Sequence, residues 1–365
     1  MNELSVGDTI LVNNGLVVCK VDELTDKEAI CTVECGGVLS NKKSMNFPNR
    51  VMHGDFLSDH DKEDLLFGIE HDVDFIAASF VSTKDDVQAM RAFLDQNGGK
   101  DIEIIAKIGN RAGVDNVAAI CDVADGIMVA RGDMGVEIAY ERLPGLQKRF
   151  IRRCYQAGKM VITATQMLES MIVSPSPTRA EITDVANAVF DGTSAVMLSG
   201  ESASGKYPVQ AVRAMSRIAK QAEHDAMTLD IYAAIPQDMD ASDTTNAICD
   251  AACTTARDLG AAAILTVTRS GYTAQHLSKF RPAEPIVAAT PDEKTYNQLA
   301  LCWGVYPIPA IYQPDTNVLV THAVDCAKRF GYVKAGDRVV VTAGGTGESG
   351  TTDVLKVQVV PSPIK

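Results

Sequence analysis

Residues 102–131 read IEIIAKIGNRAGVDNVAAICDVADGIMVAR and carry the strongest fold signal in the sequence. This stretch opens with the apolar run IEIIAKI (102–108) and closes with the apolar run GIMVAR (126–131). Near-continuous apolar runs of this length are typical of parallel strands that are covered on both faces. The distance between the two runs suits a strand–helix–strand unit. The stretch therefore predicts part of a parallel α/β sheet.

Three similar runs extend this pattern across residues 53–225. They are VDFIAASF (73–80), KMVITAT (159–165) and SAVMLS (194–199). Between the runs lie helical patterns, one of which starts with a predicted capping box, Ser82-x-x-Asp85, and ends at Gly98-Gly99. A later helix, after Pro177, is predicted to present an apolar face formed by Ile182, Val185, Ala186 and Val189. Five strands alternating with helices indicate a barrel-like (β/α) architecture.

The segments on either side are predicted to form two other units. Residues 1–52 are β-rich, with TILV and LVVC flanking the turn signal Asn13-Asn14-Gly15. They predict a partial β-domain, a remnant of a small β-domain that is too small to be robust alone. Residues 226–240 have no clear period and are interpreted as a linker. Residues 241–365 contain a helix at about 243–259 and the strand candidates AAAILTVT, PIVAAT and RVVVTAG, which predict a small doubly wound α/β domain.

Composition narrows the class of protein. The 365-residue chain has a net charge of −13, which argues against nucleic-acid or anionic-membrane partners. Its nine cysteines include no C-x-x-C pair, so we expect free thiols and a cytoplasmic location. The six histidines show no H-x-x-x-H spacing, which makes a zinc site unexpected. We expect neither a membrane span nor a signal peptide.

Polar side chains stand at the ends of all five central strands. In (β/α) barrels the active site is built at the carboxyl ends of the strands, so a series of polar ends predicts one pocket. The groups are Ser79, Lys107, the Arg131–Gly132–Asp133 turn, Thr165, and the Ser199–Glu201 pair. A single polar strand end has a simple structural explanation, because a lysine there often just reaches solvent. Five in succession favour a site.

The chemistry of these groups predicts an anionic substrate and a metal ion. Lys107 supplies a cation, and Asp133 supplies the oxygen ligands that Mg²⁺ requires. The backbone N–H groups of Gly132 and Asp133 begin a helical turn and are suited to a carboxylate or a phosphate. Thr165 offers a hydroxyl group. Positive groups around a reacting anion indicate phosphoryl or enolate chemistry.

Longer segments of the chain resemble the pyruvate kinase family. They are DFIAASF, GIMVARGDMGVEI, VITATQMLESM and PTRAEITDVANAVFDGTSAVMLSGESASGKYP. The resemblance implies a TIM barrel with a small β-domain, followed by a C-terminal α/β domain. It also implies phosphoryl transfer from phosphoenolpyruvate to ADP, giving pyruvate and ATP, with Mg²⁺ or Mn²⁺ and usually K⁺. Members are usually homotetramers.

The resemblance also implies roles for individual residues. Lys107 matches the lysine that stabilises charge on the transferred phosphoryl group. Asp133 matches a metal ligand, and it joins Gly132 and Thr165 in the segment that holds the substrate carboxylate. Ser199 and Glu201 match a pair proposed to relay a proton to the enolate carbon. Structural alternatives remain for three of them: a helix cap for Thr165, a turn hydrogen bond for Ser199, and a first-turn acid for Glu201.

A second anion site is predicted in the C-terminal domain. The segment Thr268-Arg269-Ser270-Gly271-Tyr272-Thr273 follows a strand and combines hydroxyl groups, backbone amides and an arginine, as phosphate cradles do. A glycine-rich loop at 344–351 is expected to close over it, although Glu348 would repel a phosphate. In the family, these loops form a sugar-phosphate effector site. An ordinary glycine- and serine-rich loop is the alternative interpretation.

Two departures from the family pattern affect the prediction of activity. The family has a metal-binding glutamate where this chain has Gly109. The family barrel has eight strands and five are predicted here, so we expect an N-terminally incomplete, split or complemented enzyme whose missing part includes the K⁺ site. We therefore expect weak activity or none from this chain alone. The alternatives are a non-catalytic regulatory or assembly subunit that binds a phosphorylated effector and, less in keeping with the motifs, another metal-dependent barrel such as a lyase.

Overall fold

The computed structural model describes residues 4–13, 15–41, 43, 45–48, 56–232, 243–311, 316–344 and 352–362. The chain divides into two compact units. The first comprises Met1–Arg153, Val161–Asp191 and Val196–Ile218. The second comprises Cys154–Met160, Gly192–Ala195 and Ala219–Lys365. No helix of the described residues is long and apolar enough to cross a membrane.

The N-terminal part of the first unit is a small antiparallel sheet. Its strands are β1 (Thr9–Val12), β2 (Val17–Leu24), β3 (Ala29–Cys35) and β4 (Met45–Asn46), in the order β3-β2-β1-β4. The turn between β1 and β2 has positive φ at Asn13 (56°) and Gly15 (79°), which a turn rich in Asn and Gly tolerates. The predicted β-rich segment is therefore confirmed here, while Asn14 lies outside the described residues.

The rest of the first unit is built around a five-stranded sheet in the order β5-β6-β7-β8-β9. The strands are β5 (Phe75–Ala78), β6 (Glu103–Ile108), β7 (Gly126–Ala130), β8 (Met160–Ala164) and β9 (Ala195–Val196). The helices along this part of the chain are α1 (Asp59–Glu70), α2 (Lys84–Gln96), α3 (Arg111–Val123), α4 (Arg131–Glu137), α5 (Leu143–Gln156), α6 (Arg179–Phe190), α7 (Gly200–Ala203) and α8 (Pro208–Thr228).

The sequence order of these strands is also their spatial order. β5 pairs in parallel with β6 from Phe75↔Glu103, and β6 pairs in parallel with β7 from Ile105↔Gly126. All residues of β7 and β8 are buried, which explains why their sequences are continuously apolar. The predicted parallel α/β fold is confirmed, although the last strand is shorter than the predicted 194–199.

Two local predictions need correction. The capping box of α2 is formed by Thr83 and Asp86, one residue later than predicted. Thr83 is extended (φ −140°, ψ 165°) and its hydroxyl accepts from Asp86 N, while Asp86 accepts from the N–H groups of both Ser82 and Thr83. In α6, Ile182 is 40% exposed and does not belong to the buried face. That face is formed by Val185, Ala188 and Val189.

The second unit contains a sheet in the order β12-β11-β10-β13-β14. Its strands are β10 (Ala263–Val267), β11 (Ile286–Thr290), β12 (Val305–Pro309), β13 (Arg338–Ala343) and β14 (Val354–Val359), and its helices are α9 (Thr244–Leu259), α10 (Tyr272–Lys279), α11 (Glu293–Gln298) and α12 (Thr316–Arg329). β10 pairs in parallel with both β11 and β13, so the strand order reverses at β10. The predicted helix at 243–259 and the three predicted strands are present, and β12 and β14 are additional.

Candidate active site

The five polar strand ends lie along one edge of the sheet of the first unit, because its strands run in parallel. At the ends of β5 and β6, Lys107 Nζ donates a hydrogen bond to Ser79 Oγ at 2.9 Å. Lys107 belongs to β6, whose neighbours Ala106 and Ile108 are fully buried, whereas Lys107 itself is partly exposed. Both faces of β6 are buried further back along the strand, so Lys107 becomes accessible because it lies near the carboxyl end, where its ammonium group contacts Ser79.

The turn after β8 has an unusual backbone. Thr165 has a φ of 72° and Gln166 a φ of 54°, so two successive non-glycine residues adopt the left-handed conformation. This conformation is costly for a β-branched residue such as threonine, and such strain concentrates at functional sites. Thr165 Oγ1 accepts a hydrogen bond of 2.8 Å from Gly132 N, in the second position of α4. The structure therefore joins the predicted carboxylate-binding residues Gly132 and Thr165 directly.

Arg131 holds this turn in place. Its guanidinium donates to Thr165 O from Nη2 (2.6 Å) and Nε (3.2 Å), and to Asp184 Oδ1 from Nη1 (2.7 Å). Only 13% of its side chain is exposed, so the ion pair with Asp184 is substantially shielded from water. Sequence reasoning noted Arg131 only as part of a polar strand end and missed this bracing role. The available signal was a charged residue directly after a fully apolar strand.

Gly109 lies beside Asp133, although the two residues are far apart in sequence. A Cβ atom added to Gly109 would lie 2.9 Å from Asp133 Cβ and 3.4 Å from Asp133 Oδ2. Asp133 is in the first turn of α4, where a carboxylate interacts favourably with the helix dipole. A side chain at position 109 would therefore enter the immediate neighbourhood of the Asp133 carboxylate. Gly109, the position at which the chain departs from the family pattern, therefore lies beside Asp133, the predicted metal ligand.

Glu201 is fully buried at the start of α7. Its Oε1 accepts from Leu168 N (3.1 Å) and its Oε2 accepts from Ser199 N (2.8 Å). Each carboxylate oxygen thus accepts from one backbone N–H group, that of the buried Leu168 and that of the partly buried Ser199. Ser199 precedes α7 and its side chain makes no capping hydrogen bond. The contact between Ser199 and Glu201 is therefore a hydrogen bond from the Ser199 backbone N–H to the Glu201 carboxylate, and it does not involve the Ser199 hydroxyl.

The predicted metal site includes few ligands from the protein. Among the described residues, no three His, Cys, Asp or Glu side chains are grouped so that they can hold a metal ion. Mg²⁺ is often bound through only one or two carboxylates, with water and substrate oxygens as the other ligands. Asp133 is suited to that kind of site, in which the protein supplies one ligand. All nine cysteines are free thiols, as the sequence predicts.

The predicted phosphate cradle of the second unit lies at the carboxyl end of β10, where the strand order reverses. Ligands of doubly wound sheets usually bind at such a point. Gly271 has a φ of 78° before α10, and Arg269 and Ser270 are exposed, whereas Thr268 is buried. The buried Thr273 hydroxyl shares a hydrogen bond of 2.7 Å with Thr352 Oγ1 and is already engaged. Of the predicted covering loop at 344–351, residues 345–351 lie outside the described residues.

Comparison with known proteins connects both units to one family. Residues 1–212 match the family described as "Pyruvate kinase, barrel domain", and residues 246–358 match "Pyruvate kinase, alpha/beta domain". A protein of Clostridium acetobutylicum named pyruvate kinase is 48% identical over 359 residues, which are 98% of this chain and 76% of the relative.

Two other proteins with the same name give similar results. The one from Clostridium perfringens is 46% identical over 98% of this chain and 76% of the relative. The one from Geobacillus stearothermophilus is 47% identical over 99% of this chain and 62% of the relative. The family domains cover most of the chain, and the identity extends from the β-rich segment through the C-terminal sheet. On these grounds, the chain belongs to the pyruvate kinase family.

Proposed function

We propose that this chain carries out pyruvate kinase chemistry, the transfer of a phosphoryl group from phosphoenolpyruvate to ADP with formation of pyruvate and ATP. The observation that carries the proposal is the arrangement of Lys107, Gly132, Asp133 and Thr165 at one rim of a parallel sheet. Phosphoryl transfer needs little covalent chemistry from the protein. It depends on positioning and on stabilisation of charge, and these are the properties that this rim offers.

Lys107 is proposed to stabilise the phosphoryl group during transfer. Its hydrogen bond to Ser79 Oγ restricts the position of the ammonium group and leaves two of its N–H donors for phosphoryl oxygens. Fixed positive charge near the transferred group lowers the barrier because it needs no rearrangement as the charge develops. Ser79 is then a positioning residue, since it acts through Lys107.

Thr165 is proposed to hold the substrate carboxylate. A hydroxyl group can accept one hydrogen bond and donate another. Thr165 Oγ1 accepts from Gly132 N, which leaves its own hydrogen to donate to a carboxylate oxygen. Arg131 fixes the same turn through Thr165 O, so the hydroxyl is held in place before the substrate arrives. In this proposal Gly132 acts mainly by orienting Thr165.

Asp133 is proposed to hold Mg²⁺ or Mn²⁺ together with oxygen atoms of the substrate. When bound, such an ion neutralises charge on the phosphoryl oxygens. Because Gly109 provides no second carboxylate, we propose that metal affinity is low and that turnover by this chain is slow. We also propose that the reaction uses K⁺, as the family generally does, but we assign no residue of this chain to that ion.

Ser199 and Glu201 are proposed to deliver the proton that converts the enolate into pyruvate. In this step the methylene carbon of the enolate takes a proton from the Ser199 hydroxyl, which is then reprotonated from the solvent side. Glu201 orients the Ser199 backbone through its 2.8 Å hydrogen bond. The burial of Glu201 favours this positioning role over direct contact with the substrate.

The second unit is proposed to bind a sugar phosphate at Thr268, Arg269, Ser270, Gly271 and Thr273. The exposed Arg269 and the strand reversal at β10 support this assignment. A homotetramer and a cytoplasmic location are proposed from the family. A non-catalytic regulatory subunit is the second candidate, and the observation that favours it is Gly109 beside the predicted metal ligand.

A coupled assay tests the proposed function. The purified chain is supplied with Mg²⁺, K⁺, ADP and phosphoenolpyruvate, and pyruvate is measured. We expect slow turnover that falls by two orders of magnitude or more in Lys107→Met, consistent with the roughly 10²–10³-fold loss when one stabilising donor is removed. Lys100→Met, a change of an exposed lysine, should leave turnover unchanged. Binding of a sugar phosphate without any turnover would favour the regulatory subunit.

A further inference from the structure

The β5–α2 loop, residues 79–83, supports Lys107 from one side. It begins with Ser79, whose hydroxyl accepts the hydrogen bond from Lys107 Nζ. The next residue, Phe80, has a φ of 56°, although it is bulky and is not a glycine. Such a conformation is an outlier and persists only where several contacts of the surrounding structure determine it. The position of the Ser79 hydroxyl therefore depends on the contacts that hold Phe80.

Asn110, which lies between β6 and α3, holds Phe80 in this conformation. Its Nδ2 group donates to Phe80 O at 3.3 Å and to Ser82 Oγ at 3.0 Å. The Ser82 hydroxyl in turn donates to Phe80 O at 3.3 Å, so this carbonyl oxygen accepts two hydrogen bonds and both of its lone pairs are used. A second amide, that of Asn116 in α3, donates to Ser82 O at 3.0 Å. The β5–α2 loop is thus fastened to the start of α3 by side-chain amides.

The orientation of the Asn110 amide is fixed by its partners. Asn110 is the N-cap of α3, where its Oδ1 accepts a hydrogen bond of 2.7 Å from Gly113 N. A backbone N–H only donates and a backbone carbonyl only accepts, so exchanging the amide oxygen and nitrogen would break the contacts with both Gly113 and Phe80. Capping uses the oxygen alone, whereas the donors of Nδ2 serve the β5–α2 loop. Asn110 therefore does more than a serine would do at the same N-cap.

A glycine in the first turn of α3 allows this close approach of the two segments. A Cβ atom added to Gly113 would lie only 2.5 Å from Val81 O, a backbone atom of the β5–α2 loop. Val81 is fully buried, so its carbonyl has little freedom to move away. Glycine is unfavourable within a helix, and here it makes room for the neighbouring backbone. The contact through Gly113 is independent of the Asn110 side chain and holds the same loop.

The segment that contains Asn110 is tied in turn to the helix that carries Asp133. Arg111 N donates to Glu137 Oε2 at 3.0 Å, and Glu137 is the last residue of α4. The contacts therefore connect the support of Lys107, through Asn110, with the helix of the predicted metal ligand. Phosphoryl transfer depends on groups that are held in fixed positions around the reacting atoms. A side chain that joins these elements is well placed to maintain such positions.

We propose that Asn110 is a positioning residue for phosphoryl transfer, because it holds the β5–α2 loop so that Ser79 Oγ meets Lys107 Nζ. Asn110 acts through these two residues, and no contact with the substrate is assigned to it. Its catalytic consequence rests on the proposed function of Lys107, whereas the positioning itself can be measured without turnover. A displacement of about 1 Å can lower a rate about 100-fold. Because Lys107 keeps its charge when Asn110 is replaced, we expect a smaller loss of about tenfold.

Asn110→Ser separates the two roles of Asn110, since serine is an equally good N-cap but has no amide donors. Reductive methylation with ¹³C-formaldehyde labels the lysine amines and keeps their positive charge. The NMR signal of Lys107 is identified by its absence from Lys107→Met. We expect Asn110→Ser to shift this signal towards its position in Ser79→Ala, because both variants remove the support of the ammonium group. A Lys107 signal that stays where it is in the intact chain would overturn the proposal.

Two further variants control this measurement. Asn97→Ser removes a side-chain donor to a backbone carbonyl at the exposed C-cap of α2 and should leave the Lys107 signal unchanged. Gly113→Ala keeps Asn110 but displaces the β5–α2 loop through Val81 O, so it should shift the Lys107 signal. A shift in Asn97→Ser as large as that in Asn110→Ser would overturn the proposal, because the effect would then not depend on the β5–α2 loop.

Turnover measures the consequence for catalysis. In the transfer of ³²P from labelled phosphoenolpyruvate to ADP, Asn110→Ser should lower kcat about tenfold and leave KM nearly unchanged, since Lys107 acts on the group being transferred. In the Ser79→Ala background the same change should cause no further loss, because Asn110 acts through Ser79. An additional tenfold loss there would overturn the proposal. Absence of transfer by the intact chain would instead contradict the proposed function, and the Lys107 signal would still decide whether Asn110 positions this lysine.

Discussion

Gly109 and Asp133 lie in contact distance at the rim of the sheet: a Cβ atom at position 109 would be 2.9 Å from Asp133 Cβ and 3.4 Å from its Oδ2. Gly109 stands directly after β6, and Asp133 lies in α4, so parallel pairing of β6 with β7 brings them together. In the sequence, Gly109 resembles an ordinary loop glycine. In the structure, it leaves the space beside Asp133, the predicted metal ligand, without a side chain. Its replacement tests the metal site.

Gly109→Glu is expected to tighten Mn²⁺ binding about tenfold, because a second carboxylate beside Asp133 adds a hard oxygen ligand. The new Cβ requires a shift of a few tenths of an ångström by Asp133, so a small loss of stability should accompany it. Gly109→Ala introduces the same crowding without the carboxylate and should leave affinity unchanged. Water-proton relaxation by Mn²⁺ measures both variants. Equal affinity in all three proteins would show that the metal is held elsewhere.

The turn after β8 predicts a gain in stability from a single glycine. Gln166 is exposed and has a φ of 54°, so Gln166→Gly should remove the left-handed strain and raise the free energy of unfolding by about 0.5–1 kcal/mol. Gln88→Gly, at an exposed position within α2, should lower it by a similar amount. Urea unfolding followed by circular dichroism compares the two. A loss of stability in Gln166→Gly would mean that the turn is not strained.

Glu201→Gln is expected to destabilise the first unit by about 1–3 kcal/mol, because one amide N–H then faces the new NH₂ group instead of a carboxylate oxygen. The matched change at an exposed position is Glu141→Gln, which should have little effect. Chemical unfolding measures the difference. If both variants unfold like the intact chain, Glu201 does not brace the Leu168 and Ser199 amides.

Glu103 is expected to make stability depend on pH. Burial, with a further contribution from Asp125 and Asp74, raises the pKa of Glu103 to about 7, against the opposing charge of Arg91. The folded state then retains this proton to a higher pH than the unfolded state does. Its contribution to stability is therefore present below about pH 4.5 and is lost as the pH rises towards 7.

Glu103→Gln should remove this loss, which is on the order of 3 kcal/mol for a shift from 4.5 to about 7 at 1.36 kcal/mol per pKa unit. Above pH 7 the variant should be the more stable protein, and the difference should shrink as the pH falls to 5. Thermal or urea unfolding across pH 5–8 measures it. Glu70→Gln, at an exposed position in α1, serves as the comparison. A difference that does not change with pH would contradict the assigned ionisation.

The sequence predicts the fold best where burial alone determines the pattern. β6 and β7 are buried strands, so their apolar runs identify them without any long-range information. β12 was missed because it contains two prolines, which edge strands tolerate, and β14 because its exposed face breaks the apolar run. The sequence does not fix the register of the capping box, because Ser82-x-x-Asp85 and Thr83-x-x-Asp86 both match the motif, and only the folded chain shows that Asp86 accepts from both N–H groups.

The candidate site, too, could be predicted from the sequence only in part. Lys107 and Thr165 were identified because polar residues at strand ends are visible in the sequence. The ion pair from Arg131 to Asp184 joins residues 53 positions apart, and the same guanidinium donates to Thr165 O in the left-handed turn. No local pattern indicates either feature. The same holds for Arg281 and Tyr155, whose stacking arises only once the chain has folded.

The rim around Lys107 is proposed to transfer a phosphoryl group from phosphoenolpyruvate to ADP. The most direct test of this proposal is the transfer of ³²P from labelled phosphoenolpyruvate into ATP by the intact chain, by Gly109→Glu, and by the combination of Gly109→Glu with Lys107→Met, at limiting Mn²⁺. We predict slow labelling by the intact chain, faster labelling by Gly109→Glu, and a loss of at least about 100-fold when Lys107 is also replaced. Labelling that is absent from Gly109→Glu, or that persists without Lys107, would contradict the proposal.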